Sequence, residues 1–247
     1  MIHSFPSATT VVVVWLVLGA SAGTAGSALA QPFEFAVEKD QLFGSSSGTL
    51  AFDVETVAYS TDEEDDARVW TYRDIKQVQL LSPTTVTIKT YEDQGWTRLG
   101  ADRAFEFELT EGTVPAELAT FLAERVDQPL VLALFPTPAE EPRFRVPVKL
   151  RQRVRGSEGT LAVYDHLVVY ETTRGEHARQ WRDVELYAVF QPDRHRLTVE
   201  VYEGGGDNIR DFSFDLKADL PPGFLDLLWR RLYTPDLARI GPRDGSR

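Results

Sequence analysis

Gly159-Thr160-Leu161-Ala162 repeats a stretch that first appears as Gly48-Thr49-Leu50-Ala51. We call the distance in sequence between Gly48 and Gly159 the repeat spacing. The surrounding residues repeat at the same spacing, since Phe33 corresponds to Phe144. Self-similarity at a long fixed period is the signature of a duplicated structural unit. The chain is therefore predicted to contain two copies of one domain.

The register between the copies is predicted to slip twice. At the first slip, Tyr72-Arg73-Asp74-Ile75 is matched to Trp181-Arg182-Asp183-Val184, which is two positions shorter than the repeat spacing. At the second, Phe105 is matched to Phe212, which is four positions shorter. Both slips fall where Asp, Gly, Ser or Pro cluster, and insertions are tolerated in such loops.

Each copy is predicted to be a run of seven short strands followed by one helix. In residues 104–110, apolar and acidic residues alternate, which is typical of a strand with one buried face. The two helices are expected to begin at Pro115 and at Pro221-Pro222, and each carries an apolar stripe. The predicted fold class is mainly β, with antiparallel strands forming a small barrel or sandwich that the helix closes.

The first thirty residues are predicted to be a signal peptide. They contain no Lys, Arg, Asp or Glu, carry an apolar run at 11–18 and end in Ser27-Ala28-Leu29-Ala30. Cleavage is expected after Ala30, although the missing basic n-region leaves an uncleaved anchor as an alternative. The predicted segments are 1–30 as signal peptide, 31–136 as first domain, 137–142 as Pro-rich linker, 143–235 as second domain and 236–247 as flexible tail.

The chain has no cysteine, so it must fold without disulfide bonds. Together with the signal peptide, this composition indicates an exported bacterial protein, periplasmic or extracellular, that is stabilised by its core alone. We expect no cofactor. Nucleic acid is not an expected partner of an exported chain with a net charge of −12.

Seven strands and one C-terminal helix in about a hundred residues resemble the pleckstrin-homology-like superfold. The resemblance covers about 33–127 and 144–233, and rests on this order, the repeated Gly-Thr-Leu-Ala, the aromatic-Arg-Asp step and the Pro-opened helix. The chain is most similar to bacterial, GRAM-like members, which implies a binding or scaffold role. Lipid-binding members carry a Lys/Arg pair on strand two, where this chain has Ala51-Phe52-Asp53 and Ala162-Val163-Tyr164.

Charge is unevenly divided between the copies. Residues 31–136 contain 8 basic and 20 acidic residues, whereas 137–247 contain 18 of each. The predicted first strand of the second copy alternates apolar and basic residues, which places Val154 on the buried face and the basic side chains on the outward face. We call the latter the basic row: Arg143, Arg145, Lys149, Arg151, Arg153 and Arg155, of which the last five are the candidate binding residues.

Three interpretations of the basic row are open. It docks against the acidic first copy and fixes the relative orientation of the copies, or it binds an anion, or it is a solvated face. A row of guanidinium groups suits the phosphate or carboxylate groups of a lipid headgroup, a cell-wall polymer or an acidic protein. Trp96, in a polar loop, is a further candidate contact residue.

No catalytic constellation is predicted. The acidic run Asp62-Glu63-Glu64-Asp65-Asp66 offers Asp62, Glu64 and Asp66 as ligands for a cation, but lacks the spacing of a calcium loop, so a solvated loop is favoured over a metal site. The sequence predicts a non-catalytic binding or scaffold protein of the bacterial cell envelope, in contact with an unknown protein, an anionic envelope component or a membrane surface. The alternative is an envelope hydrolase with its site in the cleft between contacting copies.

Overall fold

The structure, a computed structural model, describes residues 33–40, 45–93, 102–203 and 209–233. The predicted signal peptide, Trp96 and the predicted tail lie outside these residues. The first half comprises β1 (Phe33–Asp40), β2 (Ser45–Phe52), β3 (Thr56–Thr61), β4 (Arg68–Thr71), β5 (Ile75–Ser82), β6 (Thr85–Asp93), β7 (Asp102–Leu109) and α1 (Glu117–Ala123). After β8 (Leu130–Leu132), the second half comprises β9 (Phe144–Leu150), β10 (Ser157–Val163), β11 (Leu167–Thr172), β12 (Arg179–Arg182), β13 (Leu186–Asp193), β14 (Arg196–Val201), β15 (Arg210–Leu216) and α2 (Phe224–Tyr233).

The predicted fold class, mainly β with one helix per half, is confirmed. Hydrogen bonding orders the strands β4-β3-β2-β1-β7-β6-β5 in the first half and β12-β11-β10-β9-β15-β14-β13 in the second. The predicted closure into barrels is wrong, because β8 joins the two orders into one sheet of 15 strands that ends at β4 and at β13. The described residues from Phe33 to Tyr233 form one compact unit, and the predicted domain boundaries within it stay a prediction.

β8 is the strand that connects the halves. It runs parallel to β5, with Val78 opposite Leu130 and Leu80 opposite Leu132. On its other side it is antiparallel to β12, where Gln180 is opposite Leu132. The three residues of β8 are all buried. The apolar segment between the copies is therefore the strand through which the two halves form one sheet.

The first predicted slip in the repeat, which matched Arg73 to Arg182, is wrong. Trp70 and Trp181 each lie opposite a valine of the preceding strand, and they are separated by the full repeat spacing, so the register does not change here. Backbone pairing shows which residues of the two halves are structurally equivalent. By this criterion, Arg73-Asp74 and Arg182-Asp183 lie at different positions of the turn, although the residue types are the same. The second slip is confirmed by the pairing of β6 with β7 and of β14 with β15.

Each half has its own hydrophobic core, into which its helix packs. Leu118 and Leu122 of α1 are fully buried in the first core. Phe224 and Leu228 of α2 are buried in the second. Phe135, which follows β8, packs against both the first core and a small cluster from β10, β11 and the turn between them. Apolar contacts therefore reinforce the connection that β8 makes.

The repeated glycine has a steric cause. A Cβ at Gly48 would lie 2.3 Å from the carbonyl oxygen of Ser60 and 2.7 Å from the ring of Tyr59. At Gly159 the corresponding distances are 2.1 Å to the carbonyl oxygen of Glu171 and 2.8 Å to the ring of Tyr170. In both halves the tyrosine ring lies over a strand position that admits no side chain. This contact explains why Gly is kept in both copies of Gly-Thr-Leu-Ala.

Gly159→Ala is expected to lower the free energy of unfolding by about 1–3 kcal/mol, because the new Cβ overlaps backbone atoms that cannot move independently. Urea denaturation of the variant measures this difference. Gly175→Ala is the matched control, since no heavy atom lies within 4 Å of its Cβ, and its effect should stay within about 0.5 kcal/mol. Equal stability of the two variants would contradict the steric explanation.

Candidate functional site

The basic row is split between a strand and a turn. β9 ends at Leu150, so Arg151, Arg153 and Arg155 lie in the turn to β10 and not on the predicted strand. Val154, predicted to be buried, is 89% exposed. The chain reverses here so tightly that a Cβ on Gly156 would lie 2.2 Å from the carbonyl oxygen of Leu150. The alternation of basic and other residues therefore continues from the strand into the turn, where it no longer separates a buried face from an exposed one.

The strand part of the basic row is neutralised by acids of its own half. The Arg145 guanidinium donates to the Glu171 carboxylate at 2.8 Å, and this contact raises the pKa of Arg145. Arg143 pairs in the same way with Asp165. Lys149 lies opposite Glu158 in the sheet. Arg143 and Arg145 are therefore paired within their own half, whereas the docking of the basic row against the acidic first copy stays a prediction.

The turn part of the basic row is different. Arg151 donates to Asp215 at 3.2 Å. Arg153 and Arg155 are exposed, and neither has an ion-pair partner within the part of the chain that the structure describes. We call Arg153, Val154 and Arg155 the basic tip. It presents one exposed apolar side chain between two guanidinium groups, each of which can bind phosphate or carboxylate oxygens.

The described side chains of the acidic loop between β3 and β4 are not grouped as ligands for a cation. The Asp66 carboxylate accepts a hydrogen bond from the ammonium group of Lys39, which is buried and lies 4.9 Å from the centre of the Tyr59 ring. Asp62 is exposed, and the Glu64 side chain lies outside the described part of the structure. Across the described residues, no three acidic or histidine side chains are grouped to hold a cation.

A buried ion pair lies where the halves meet. Glu185, 2% exposed, accepts hydrogen bonds from the Arg182 side chain at 2.8 Å and from the Leu130 amide at 3.0 Å. The backbone amide of Arg182 donates to the same carboxylate. Burial raises the pKa of Glu185, and the Arg182 guanidinium opposes that rise. All of these donors stabilise the ionised carboxylate.

Arg182 also binds the end of the helix in the other half. Its guanidinium donates to the carbonyl oxygens of Ala123 at 2.9 Å, Val126 at 3.0 Å and Gln128 at 3.0 Å. The last carbonyl groups of a helix lack partners within the helix and attract cations. We call Arg182, Glu185 and these backbone groups the joint network. Every polar side-chain group named in it has a hydrogen-bond partner among the described residues.

Sequence reasoning missed the joint network because it matched Arg182 to Arg73. At the repeat spacing, which the structure keeps here, Arg182 corresponds to Thr71 and Glu185 to Asp74. In the first half, Asp74 only accepts hydrogen bonds from Thr71, at 2.8 Å from the amide and 2.7 Å from the hydroxyl. The second half has the long charged pair Arg182 and Glu185 where the first half has the short pair Thr71 and Asp74. This difference between the copies is the sequence signal that could have indicated a contact between the halves.

A second buried ion pair lies in the second half. The Arg179 guanidinium donates to Glu203 at 2.7 Å, and both side chains are at most 5% exposed. Arg210 donates to the other oxygen of Glu203 at 2.9 Å. Burial lowers the pKa of Arg179, which Glu203 partly offsets. Within the described residues, the buried Nε1 of Trp181 has no acceptor, because Glu203 is turned towards the arginines.

The corresponding site of the first half is open to solvent. Glu92 accepts a hydrogen bond from Trp70 Nε1 at 2.9 Å, and the Arg103 guanidinium lies 3.8 Å away. Glu92 is 40% exposed, compared with 3% for the Glu203 side chain. The equivalent of Arg179 is Arg68, which donates to backbone carbonyl groups of its own loop. The positions of Arg179, Trp181, Glu203 and Arg210 thus hold a buried ion cluster in the second half, whereas the equivalent positions of the first half hold an exposed carboxylate.

Comparison with known proteins does not identify a family for this chain. Neither a protein-family model nor a curated protein matches this chain. Among solved structures, one described as "Structure of the Spt16D Pob3N heterodimer" is similar with a TM-score of 0.29 and 10% sequence identity. The similarity covers 76% of this chain and 97% of that chain. The strand order of this chain, and not that similarity, defines its fold. Neither of the helices in the described segments is long and apolar enough to cross a bilayer.

Proposed function

We propose that this protein is a non-catalytic binding module of the bacterial cell envelope that contacts an anionic membrane surface through its basic tip. Its halves are two pleckstrin-homology-like domains of the GRAM-like kind, and the chain is exported after removal of residues 1–30. The observation that carries the proposal is the exposure of Arg153 and Arg155 without acidic partners among the described residues, on either side of the exposed Val154.

The basic tip suits a surface that offers both charge and an apolar phase. Arg143, Arg145 and Arg151 are already paired with acids of their own half, so they contribute little free positive charge. Two unpaired guanidinium groups attract anionic headgroups, and each basic residue near such a surface contributes about 1 kcal/mol. A valine between them can enter the headgroup region without burying a charge. A membrane surface is therefore the favoured anionic component.

The same geometry favours a binding role over catalysis. A hydrolase with its site between the halves would need a carboxylate or histidine there with an unused proton or lone pair. Glu185 is the buried carboxylate of this region, and three donors occupy it. The joint network instead fixes one half against the other, which supports a rigid scaffold and not the alternative of an envelope hydrolase.

Binding to lipid vesicles tests the proposal. The compact unit from Gln31 onward should bind vesicles that contain phosphatidylglycerol at low salt, bind more weakly at high salt, and not bind neutral phosphatidylcholine vesicles. Arg153→Ser with Arg155→Ser should weaken binding by about 30-fold, which is about 2 kcal/mol. Sedimentation of the vesicles at increasing lipid concentration measures the change.

The control replaces another exposed arginine pair. Arg194 and Arg196 lie 3.6 Å and 3.5 Å from the carboxylates of Asp219 and Asp193, so their charge is already balanced. Changing both to Ser should leave vesicle binding within about twofold, because a balanced pair attracts a surface weakly. Equal losses in the two double variants would reduce the effect to net charge and contradict the role of the basic tip.

A further inference from the structure

The outer edge of β13 is one of the two open edges of the sheet. The equivalent edge in the first half pairs with another strand of this chain. β13 is the last strand of the sheet, and along its outer side no strand of the described residues pairs with it. Its equivalent in the first half is β5, since the pairs Val78–Ile88 and Val189–Val199 have the same register at the repeat spacing. An open edge presents unpaired backbone groups that can bind another strand.

The equivalent edge of β5 is occupied. β8 lies along it in parallel, with Leu130, Val131 and Leu132 opposite consecutive residues of β5. The carbonyl oxygen of Leu80 accepts a hydrogen bond from the Ala133 amide at 2.8 Å. A short apolar segment therefore completes the first half, and the same backbone geometry is present on β13 without such a segment.

On β13 a side chain takes the position of a strand donor. The carbonyl oxygen of Val189 accepts a hydrogen bond from Trp229 Nε1 at 2.7 Å. Backbone groups two residues apart in a strand point the same way, so this oxygen corresponds to that of Val78, on the same side as the Leu80 oxygen that faces β8. Trp229 itself is 41% exposed. α2 therefore lies against β13, and the Trp229 hydrogen bond occupies one acceptor of this edge.

Aromatic side chains are concentrated around the same edge. Tyr187 and Phe190 of β13 are 47% and 38% exposed, and Tyr202, whose ring packs edge-on against Tyr187 at 5.7 Å, is 37% exposed. Trp229 adds a fourth ring from α2. Clusters of exposed aromatic residues mark contact surfaces, because burying them yields large apolar area for little loss of side-chain freedom.

We propose that the outer edge of β13 is a docking site for an extended apolar segment of a protein partner, which adds to the sheet in parallel as β8 does on β5. The ligand has the chemistry of β8, with consecutive Leu or Val residues in extended form and no need for charge. Its amides take the outward carbonyl groups of β13 after Trp229 swings away, and its side chains cover Tyr187 and Phe190. Backbone pairing provides the affinity and the aromatic rings the selectivity.

A synthetic peptide with the sequence of residues 128–135, flanked by lysines for solubility, serves as the probe. Its binding to the chain from Gln31 onward is measured by the change in tryptophan fluorescence and by calorimetry. Gln191→Pro removes an outward amide of β13 and should weaken binding at least tenfold. Trp229→Phe removes the competing N–H donor and should strengthen binding about two- to tenfold. This factor corresponds to the net contribution of the one hydrogen bond that the peptide no longer has to displace. Val69→Asp on β4, the other open edge, should leave binding unchanged.

The remaining outcomes would overturn the proposal. Absence of peptide binding at millimolar concentration, or binding equally strong in Gln191→Pro, removes the docking site. Loss of binding in Val69→Asp alone moves the site to β4. A dimer in sedimentation velocity that Gln191→Pro dissociates makes a second copy the occupant. Binding that appears only after deletion of residues 234–247 makes the end of the chain the occupant.

Discussion

Arg182→Ala is expected to lower the free energy of unfolding by about 3–5 kcal/mol, because it leaves the Glu185 carboxylate buried without its counter-ion. The side chain of Glu185 is 2% exposed and that of Arg182 is 16% exposed, so solvent screens this pair only slightly. The same change removes a hydrogen bond to Ala123, the last residue of α1, and two to the carbonyl groups of Val126 and Gln128 that follow it. Urea denaturation followed by tryptophan fluorescence measures the loss.

The pH dependence of this variant separates loss of the ion pair from loss of packing. Without the Arg182 side chain, the pKa of Glu185 should rise further above its ordinary value, since only the backbone hydrogen bonds then oppose the effect of burial. A carboxyl group with a raised pKa in the folded state contributes its stability at low pH and loses it as pH rises through that pKa. The deficit of Arg182→Ala should therefore be smaller at pH 4 than at pH 7. A deficit that does not change with pH would point to packing alone.

The control for Arg182→Ala is Arg194→Ala. Arg194 and Asp219 are 76% and 77% exposed and 3.6 Å apart. Such a pair contributes at most about 1 kcal/mol. A comparable loss in both variants would show that the joint network does not hold the halves together.

Glu203→Ala is expected to lower the free energy of unfolding by about 3–5 kcal/mol, because it leaves the guanidinium of Arg179 buried and unpaired. The duplication provides the matched control. Glu92→Ala removes the equivalent carboxylate, but Glu92 is 40% exposed and its loss frees the Trp70 N–H and the exposed Arg103 guanidinium, so about 1 kcal/mol is expected. Calorimetric unfolding of both variants tests the difference. Equal losses would mean that burial of the cluster contributes nothing.

The fold class was predictable because two independent signals agreed. Period-two alternation identified strands one at a time, and the repeat of Gly48 at Gly159 required the second half to follow the first. The steric contact between each glycine and its tyrosine ring accounts for that repeat. Such patterns are present in both copies because each depends only on contacts within a strand or between two neighbouring strands.

The functional residues were less predictable, because their roles depend on contacts far apart in sequence. Arg145 reads as a free cation in an alternating strand, but its partner Glu171 lies two strands away. The sequence places Arg182 and Glu185 in a turn. In the structure, Arg182 binds the carbonyl group of Ala123 in the first half, and Glu185 binds the amide of Leu130 in β8. The length of a strand was also misjudged, since the apolar and basic alternation extends beyond Leu150 into the turn. Only the register of the sheet resolves these cases.

The position of β8 has a consequence for the order in which the chain can assemble. All strands of the first half and β8 are made before any strand of the second half emerges, so the first half can finish its sheet from its own residues. β12 then meets a preformed strand and not a disordered one, which lowers the entropy of pairing two distant segments. We therefore expect the first copy to act as a template for the second, with folding that proceeds from the amino end to the carboxyl end.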